Sequence, residues 1–171
     1  STGSGKSTIA RLILRFHDVS QGRILFRGQD IRSLPQKGLR KEISYVPQKA
    51  WLFSGTIKEN LAQGKETAGE EEMFHALKTA QADFVKNLPQ GLETKVAQGG
   101  TNFSGGQKQR LCIARALMKK TGLYVFDDSF SALDFKTDKA LREALKEETK
   151  EAAVLIIAQR ISTILHASQI V

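Results

Sequence analysis

STGSGKSTIARLILRF, residues 1–16, passes from small and glycine residues into apolar positions at helical spacing, Ile9, Leu12, Ile13 and Phe16. A loop that opens directly into a helix has that pattern. Gly5-Lys6-Ser7 supplies the end of the phosphate-binding pattern G-x-x-x-x-G-K-[ST], with Ser1, Thr2, Gly3 and Ser4 in its four variable places. The opening glycine is expected just ahead of Ser1. Small residues are needed because the backbone N–H groups of Gly3, Ser4 and Gly5 must converge on a phosphate. The helix that starts there adds roughly half a positive charge at its N-terminus. Lys6 would bridge the outer phosphates, Ser7 would offer its hydroxyl to Mg2+, and Thr8 would reach the innermost phosphate. A Ser/Gly-rich helix start with an incidental lysine is the alternative that this motif alone leaves open.

Working outward, Leu123-Tyr124-Val125-Phe126 is a short apolar run, which predicts a buried strand, and Asp127 and Asp128 follow it. α/β sheets place their ligand chemistry at the C-terminal ends of strands, so after a phosphate loop Asp127 could hold a water on Mg2+ and Asp128 could aim at an attacking water; a solvated turn or helix cap is the alternative for such a pair. Ala153 to Ile157 and Ile43 to Val46 read as further strands, the latter stopped by Pro47. Gly22 to Gly28 (GRILFRG) reads as a short strand between glycines, followed by a polar turn around Pro35. Helical patterns cover Glu70 to Ala80, Gly106 to Lys119 and Lys136 to Lys150, and residues 54–69 read as mostly loop. Strands alternating with helices late in the chain predict a parallel α/β sheet.

With 171 residues, 40% hydrophobic and 26% charged, the chain has the composition of one ordinary globular domain. Its longest apolar run, Ala152 to Ala158, is far below the roughly 18 to 20 residues needed to cross a bilayer. Cys112 is the one cysteine, which excludes an internal disulfide or a cysteine metal cluster. Its place in a helical pattern marks it as a small buried hydrophobe. The net charge of +8 is diffuse, without a block of five basic residues, and reads as solvated surface plus a polyphosphate ligand rather than a nucleic-acid patch.

FSGGQKQR, residues 103–110, precedes a helix carrying Leu111, Ile113, Ala114, Leu117 and Met118. It is a second helix N-terminus with bare amides and a serine, hence either a second anion site or a plain serine cap. Taken together, STGSGKST, YVPQ ending in Gln48, FSGGQ at 103–107, LYVFDDSFSALD ending in Asp134, and IIAQRISTI from Ile156 resemble the nucleotide-binding domain of ATP-binding cassette (ABC) transporters, in the same order. WLFSGTIKENL, residues 51–61, and KVAQGGTNFSGG resemble its exporter branch. That resemblance implies a phosphate-loop, RecA-like core of parallel strands at residues 1–54 and 121–171. A helical subdomain is expected at about 55–120, and the domain is expected to be cut at both ends, so that the isolated 171 residues bind ATP weakly. It further implies head-to-tail pairing of two such domains, with each ATP between one chain's phosphate loop, Thr2 to Thr8, and the other's signature, Ser104, Gly105, Gly106 and Gln107. Ser7, Gln48 and Asp127 would serve Mg2+, and Ser131, Ala132, Leu133 and Asp134 would cross the dimer. Trp51 and Phe53 would lie on a surface docked to transmembrane domains, or else in the core. The setting would be the cytoplasmic face of the cell membrane.

Two positions depart from the family pattern. The residue after the Mg2+ aspartate, usually glutamate in hydrolytic members, is Asp128, and Gln159 stands where histidine is expected; with Gln48 these are the expected catalytic residues. Loss of one methylene withdraws a carboxylate by about 1.5 Å. A misplacement of about 1 Å can cost on the order of 100-fold in rate. Gln159 can donate to a phosphate oxygen but carries no proton at neutral pH. His17, His75 and His166 fall elsewhere. The expectation is one half of a heterodimeric exporter whose own site hydrolyses ATP slowly while FSGGQ completes the partner's site. The alternatives are a homodimeric exporter with Asp128 as an adequate base, and a non-hydrolysing ATP-dependent clamp. A DNA-repair or chromosome-structure ATPase would place a long coiled coil between Lys6 and Ser104, and no heptads occur there.

Overall fold

A computed structural model describes residues 5–159 and 167–170. Thr2, Gly3 and Ser4 of the expected phosphate loop, and His166, lie outside the described residues. Gly5, at φ 80°, takes the left-handed conformation that glycine adopts without strain and caps α1, Lys6–Ile13. α1 is shorter than the apolar pattern implied: Arg15 turns to φ 52°, and Phe16 lies beyond the helix under the Arg40 guanidinium, 4.9 Å from its ring centre. The stretch read as one strand is a tight hairpin, β1 (Leu25–Phe26) against β2 (Gln29–Asp30), turned by Arg27 and Gly28 at positive φ. The polar turn at Pro35 opens a helix, α2, Gln36–Lys41, which leads into β3, Ile43–Val46.

Residues 54–69 are not mostly loop. Gly55–Thr56 forms β4 and Ile57–Ala62 forms the helix α3. Its start is a reciprocal capping box: the Thr56 hydroxyl accepts from the Glu59 amide at 3.0 Å and the Glu59 carboxylate accepts from the Thr56 amide at 2.6 Å. α4, Glu70–Thr79, follows. β5, Lys95–Val96, pairs antiparallel with β4, and α5 spans Gly105–Met118. β6 (Leu123–Asp127), α6 (Phe135–Glu148) and β7 (Ala153–Ile157) complete the described elements.

β3, β6 and β7 form a parallel sheet in the order β3-β6-β7, as the alternation of strands and helices predicted. Tyr45 is in register with Val125 and Val46 with Phe126, and Asp127 with Ile157. Successive side chains point to opposite faces, so the sheet separates two apolar clusters. Ile43, Val125 and Ile157 join Ala10 of α1 and Leu14, which caps it, on one face. Val46, Tyr124 and Phe126 join Ile113, Leu117 and Met118 of α5 on the other, in a cluster that continues through α3 and α4. Strands buried on both faces need apolar residues at nearly every position, and β6 meets that demand. No helix among the described residues is long and apolar enough to cross a membrane.

Candidate nucleotide site

The site lies where α1 begins and β3 and β6 end. α1 has no side-chain cap and no acidic residue in its first turn, so no carboxylate of the helix itself offsets the positive end of its dipole. Ser7, one residue into the helix, donates its hydroxyl to Asp127 Oδ1 at 3.0 Å. Tyr45 donates its hydroxyl to Asp127 Oδ2 at 3.2 Å. Asp127 is buried, and both its oxygens are engaged. Burial, with the neighbouring carboxylate charge and hydrogen bond, pushes the Tyr45 hydroxyl up to about 12. The phenol therefore stays a donor at physiological pH.

Asp128 turns away from its neighbour. Its backbone takes φ 48° and its amide donates to the Ile157 carbonyl at 2.7 Å. The side chain faces the end of the sheet, where Oδ2 accepts from Gln48 Nε2 at 3.2 Å and from Gln159 Nε2 at 3.1 Å. The three residues expected to be catalytic, separated by 31 and 80 positions in sequence, thus meet at one oxygen. Ser129, buried behind them, donates to the Val46 carbonyl at 2.9 Å and fastens the turn after β6 to the end of β3. Tyr45 and Ser129 were not singled out from sequence. The parallel register that pairs Tyr45 with Val125 would have found Tyr45, because residues two apart share a face and Asp127 is two beyond Val125.

The family model described as ABC transporter matches residues 1–131. The chain belongs to the ABC transporter family. A bacterial Atm1-family ABC exporter solved with ATP bound superposes with a TM-score of 0.92 at 44% identity, over 96% of this chain and 29% of that one. An uncharacterized ABC transporter ATP-binding protein of Mycobacterium bovis is 47% identical over 175 residues, 100% of this chain and 30% of the relative. A putative multidrug export ATP-binding/permease protein of Staphylococcus aureus is 46% identical over 171 residues, 99% of this chain and 30% of the relative. The chain therefore corresponds to the nucleotide-binding domain of ABC exporters and spans about 30% of the length of the curated relatives it matches.

The residues expected to form the signature, Ser104 to Gln107, lie at the cap and first turn of α5. Ser104 accepts from the Gln107 amide at 3.2 Å and donates its own amide to Gln107 Oε1 at 2.9 Å, a capping box inside this chain. The side chains of Ser104 and Gln107 thus satisfy each other, while the Gly105 and Gly106 amides belong to a first turn that has no intrahelical acceptors. Arg110 braces the turn, donating to the Gly106 carbonyl at 3.1 Å and to Gln81 at the end of α4 at 2.7 Å.

In the stretch 131–134, Ser131 and Ala132 are exposed and Ser131 donates to the Asp128 carbonyl at 2.9 Å. Leu133, expected to cross to a partner, is buried in its own core. Asp134 caps α6, and hydrogen bonds from Thr137 hold its carboxyl below the usual range. Trp51 and Phe53 are 43% and 48% exposed, so neither is core. Arg115 fixes that segment by donating to the Trp51 carbonyl at 2.9 Å while its guanidinium lies 5.5 Å from the Phe53 ring centre. Cys112 is buried, as expected, and burial pushes its thiol up. His17 is exposed, and His75 pairs with Glu148 at 2.7 Å, far from any catalytic arrangement.

Proposed function

We propose that this domain binds and slowly hydrolyses ATP to drive export through associated transmembrane domains, as one half of a heterodimeric transporter at the cytoplasmic face of the cell membrane. The observation that carries it is the meeting of Ser7 with Asp127, and of Asp128 with Gln48 and Gln159, at the C-terminal end of one parallel sheet. Trp51 and Phe53, exposed and held by Arg115, supply the surface that would face the transmembrane domains.

The α1 N-terminus and Lys6 would hold the outer phosphates, with Thr8 on the innermost. The Ser7 hydroxyl and Asp127 carboxylate, 3.0 Å apart, are hard oxygen donors that fit Mg2+, and Gln48 would add a carboxamide oxygen. Mg2+ bound there would neutralise charge on the phosphates. Asp128 would orient the attacking water and accept its proton, for which the Gln48 and Gln159 amides must release Oδ2. Gln159 would then donate to a phosphate oxygen. Ser104, Gly105, Gly106 and Gln107 would serve the partner's ATP, and Ser131, Ala132 and Asp134 the dimer contact. Asp128 in place of glutamate and Gln159 in place of histidine support a slow site of its own.

The test is the reconstituted transporter, with each catalytic carboxylate removed in turn. Asp128→Ala is expected to reduce steady-state phosphate release less than loss of the partner chain's carboxylate; equal losses would restore the homodimer-like, symmetric reading. Single-turnover hydrolysis at this site, even slow, excludes the pure clamp.

A further inference from the structure

We propose that Tyr45 is a positioning residue for Asp127, holding its carboxylate in the one orientation that serves the cation of the bound nucleotide. The inference rests on the reading of Asp127 as the Mg2+ carboxylate. The register places it there: Tyr45 sits beside Val125, so its side chain emerges on the same sheet face as Asp127, two residues further along β6. Its hydroxyl reaches Oδ2 at 3.2 Å while the Ser7 hydroxyl reaches Oδ1 at 3.0 Å.

A carboxylate on a single bond can turn about it, and one donor leaves that rotation open. Two donors from different elements, α1 and β3, fix the carboxylate plane. The two donors differ in duty. Ser7, while it donates to Oδ1, keeps oxygen lone pairs that would be free to meet a cation, so its own position would follow the ligand. Tyr45 has a rigid ring, packed against the cluster formed by Ile43, Val125, Ala10 and Leu14, and anchors Oδ2 irrespective of what occupies the loop. Such partners of a metal carboxylate typically change metal affinity by about 10- to 100-fold when removed. Phenylalanine at position 45 would keep the ring and its packing and lose only the donor.

The experiment uses the intact transporter and reads this chain alone, by photolabelling with 8-azido-ATP across a Mg2+ titration and again in EDTA. Tyr45→Phe is expected to raise the half-saturating Mg2+ about tenfold. Labelling in EDTA should match the wild type. An unchanged Mg2+ curve, or an equal loss with and without Mg2+, overturns the proposal, as does a lower unfolding temperature as the sole change. Should Tyr45→Phe fail to accumulate, Tyr45→Leu, which also lacks the donor, carries the same titration. Asp127→Asn separates the two readings. If it leaves the Mg2+ dependence unchanged, the assignment of Asp127 fails and Tyr45 with it; if it shifts the curve and Tyr45→Phe does not, only the role of Tyr45 fails.

Discussion

Asp128 is held in a left-handed backbone conformation by one short amide bond to Ile157, and its carboxylate receives two carboxamides at a single oxygen. A left-handed aspartate is tolerated because its short polar side chain bonds locally, and a glutamate there would reach about 1.5 Å further for the same backbone. The proposed slow chemistry is then a matter of reach. Asp128→Glu is expected to raise phosphate release from this site, and combined with Gln159→His to raise it by at least about tenfold, given that misplacements of about 1 Å cost on the order of 100-fold. Single-turnover hydrolysis with the partner site disabled measures it, and no gain from the double variant would mean that reach is not what limits the site. The pairing of Asp128 with Gln48 and Gln159 was legible as three candidates, but not as one cluster. Sequence marks the ends of strands, and only the sheet order brings three such ends together.

Short elements were where sequence was least informative. α3 has six residues, too few for an apolar period to show, yet Thr56 and Glu59 stand at the spacing of a capping box and mark its start. Asn60, buried on the same helix, accepts from the Phe53 amide at 2.9 Å and donates to the Phe53 and Thr56 carbonyls at 2.9 and 3.0 Å. It thereby closes the exposed Trp51–Phe53 segment onto α3, a role that no local pattern announces. The β1–β2 hairpin escaped notice because its turn is Arg27-Gly28, outside the Asn-Gly and Asp-Gly pairs that usually signal one. Thr56→Ala should lower stability by about 1 kcal/mol through loss of the cap. Asn60→Ala should cost more, roughly 2 to 4 kcal/mol, because it strips the Phe53 amide and carbonyl of the side chain that pairs both. Equilibrium denaturation of the two variants ranks them, and equal costs would mean that water replaces Asn60 without loss.

Across the whole molecule, the long elements were readable because each satisfies a strong local demand. β6 is an apolar run buried on both faces, β7 an apolar run whose burial grows toward Ile157, and α5 carries its apolar stripe against β3 and β6. The consequence of that layering is that the two helix starts proposed to bind phosphate, at Lys6 and at Gly105, belong to different faces of one sheet: α1 packs with Val125 and α5 with Phe126. In the proposed head-to-tail pair, a partner's signature would then complement this chain's phosphate loop, and this chain's signature that of the partner's. Gly105 offers a clean test. A Cβ built there meets nothing within 4 Å, so a side chain fits without disturbing this chain. A carboxylate at the first position of a helix is favoured by the helix dipole, worth about 0.3 to 1 kcal/mol. Gly105→Asp should thus leave the unfolding temperature unchanged or slightly raised. Facing a partner's triphosphate, the same carboxylate is repelled, and turnover of the assembled transporter should fall by about 100-fold or more, the scale on which a charge aimed wrongly at a transferring phosphoryl group acts. If the transporter is asymmetric as proposed, Lys6→Ala should reduce turnover less than Gly105→Asp, because Lys6 would serve the slow site and Gly105 the fast one. Steady-state phosphate release from the two variants decides the order, and a larger loss from Lys6→Ala would place the fast chemistry on this chain's own phosphate loop.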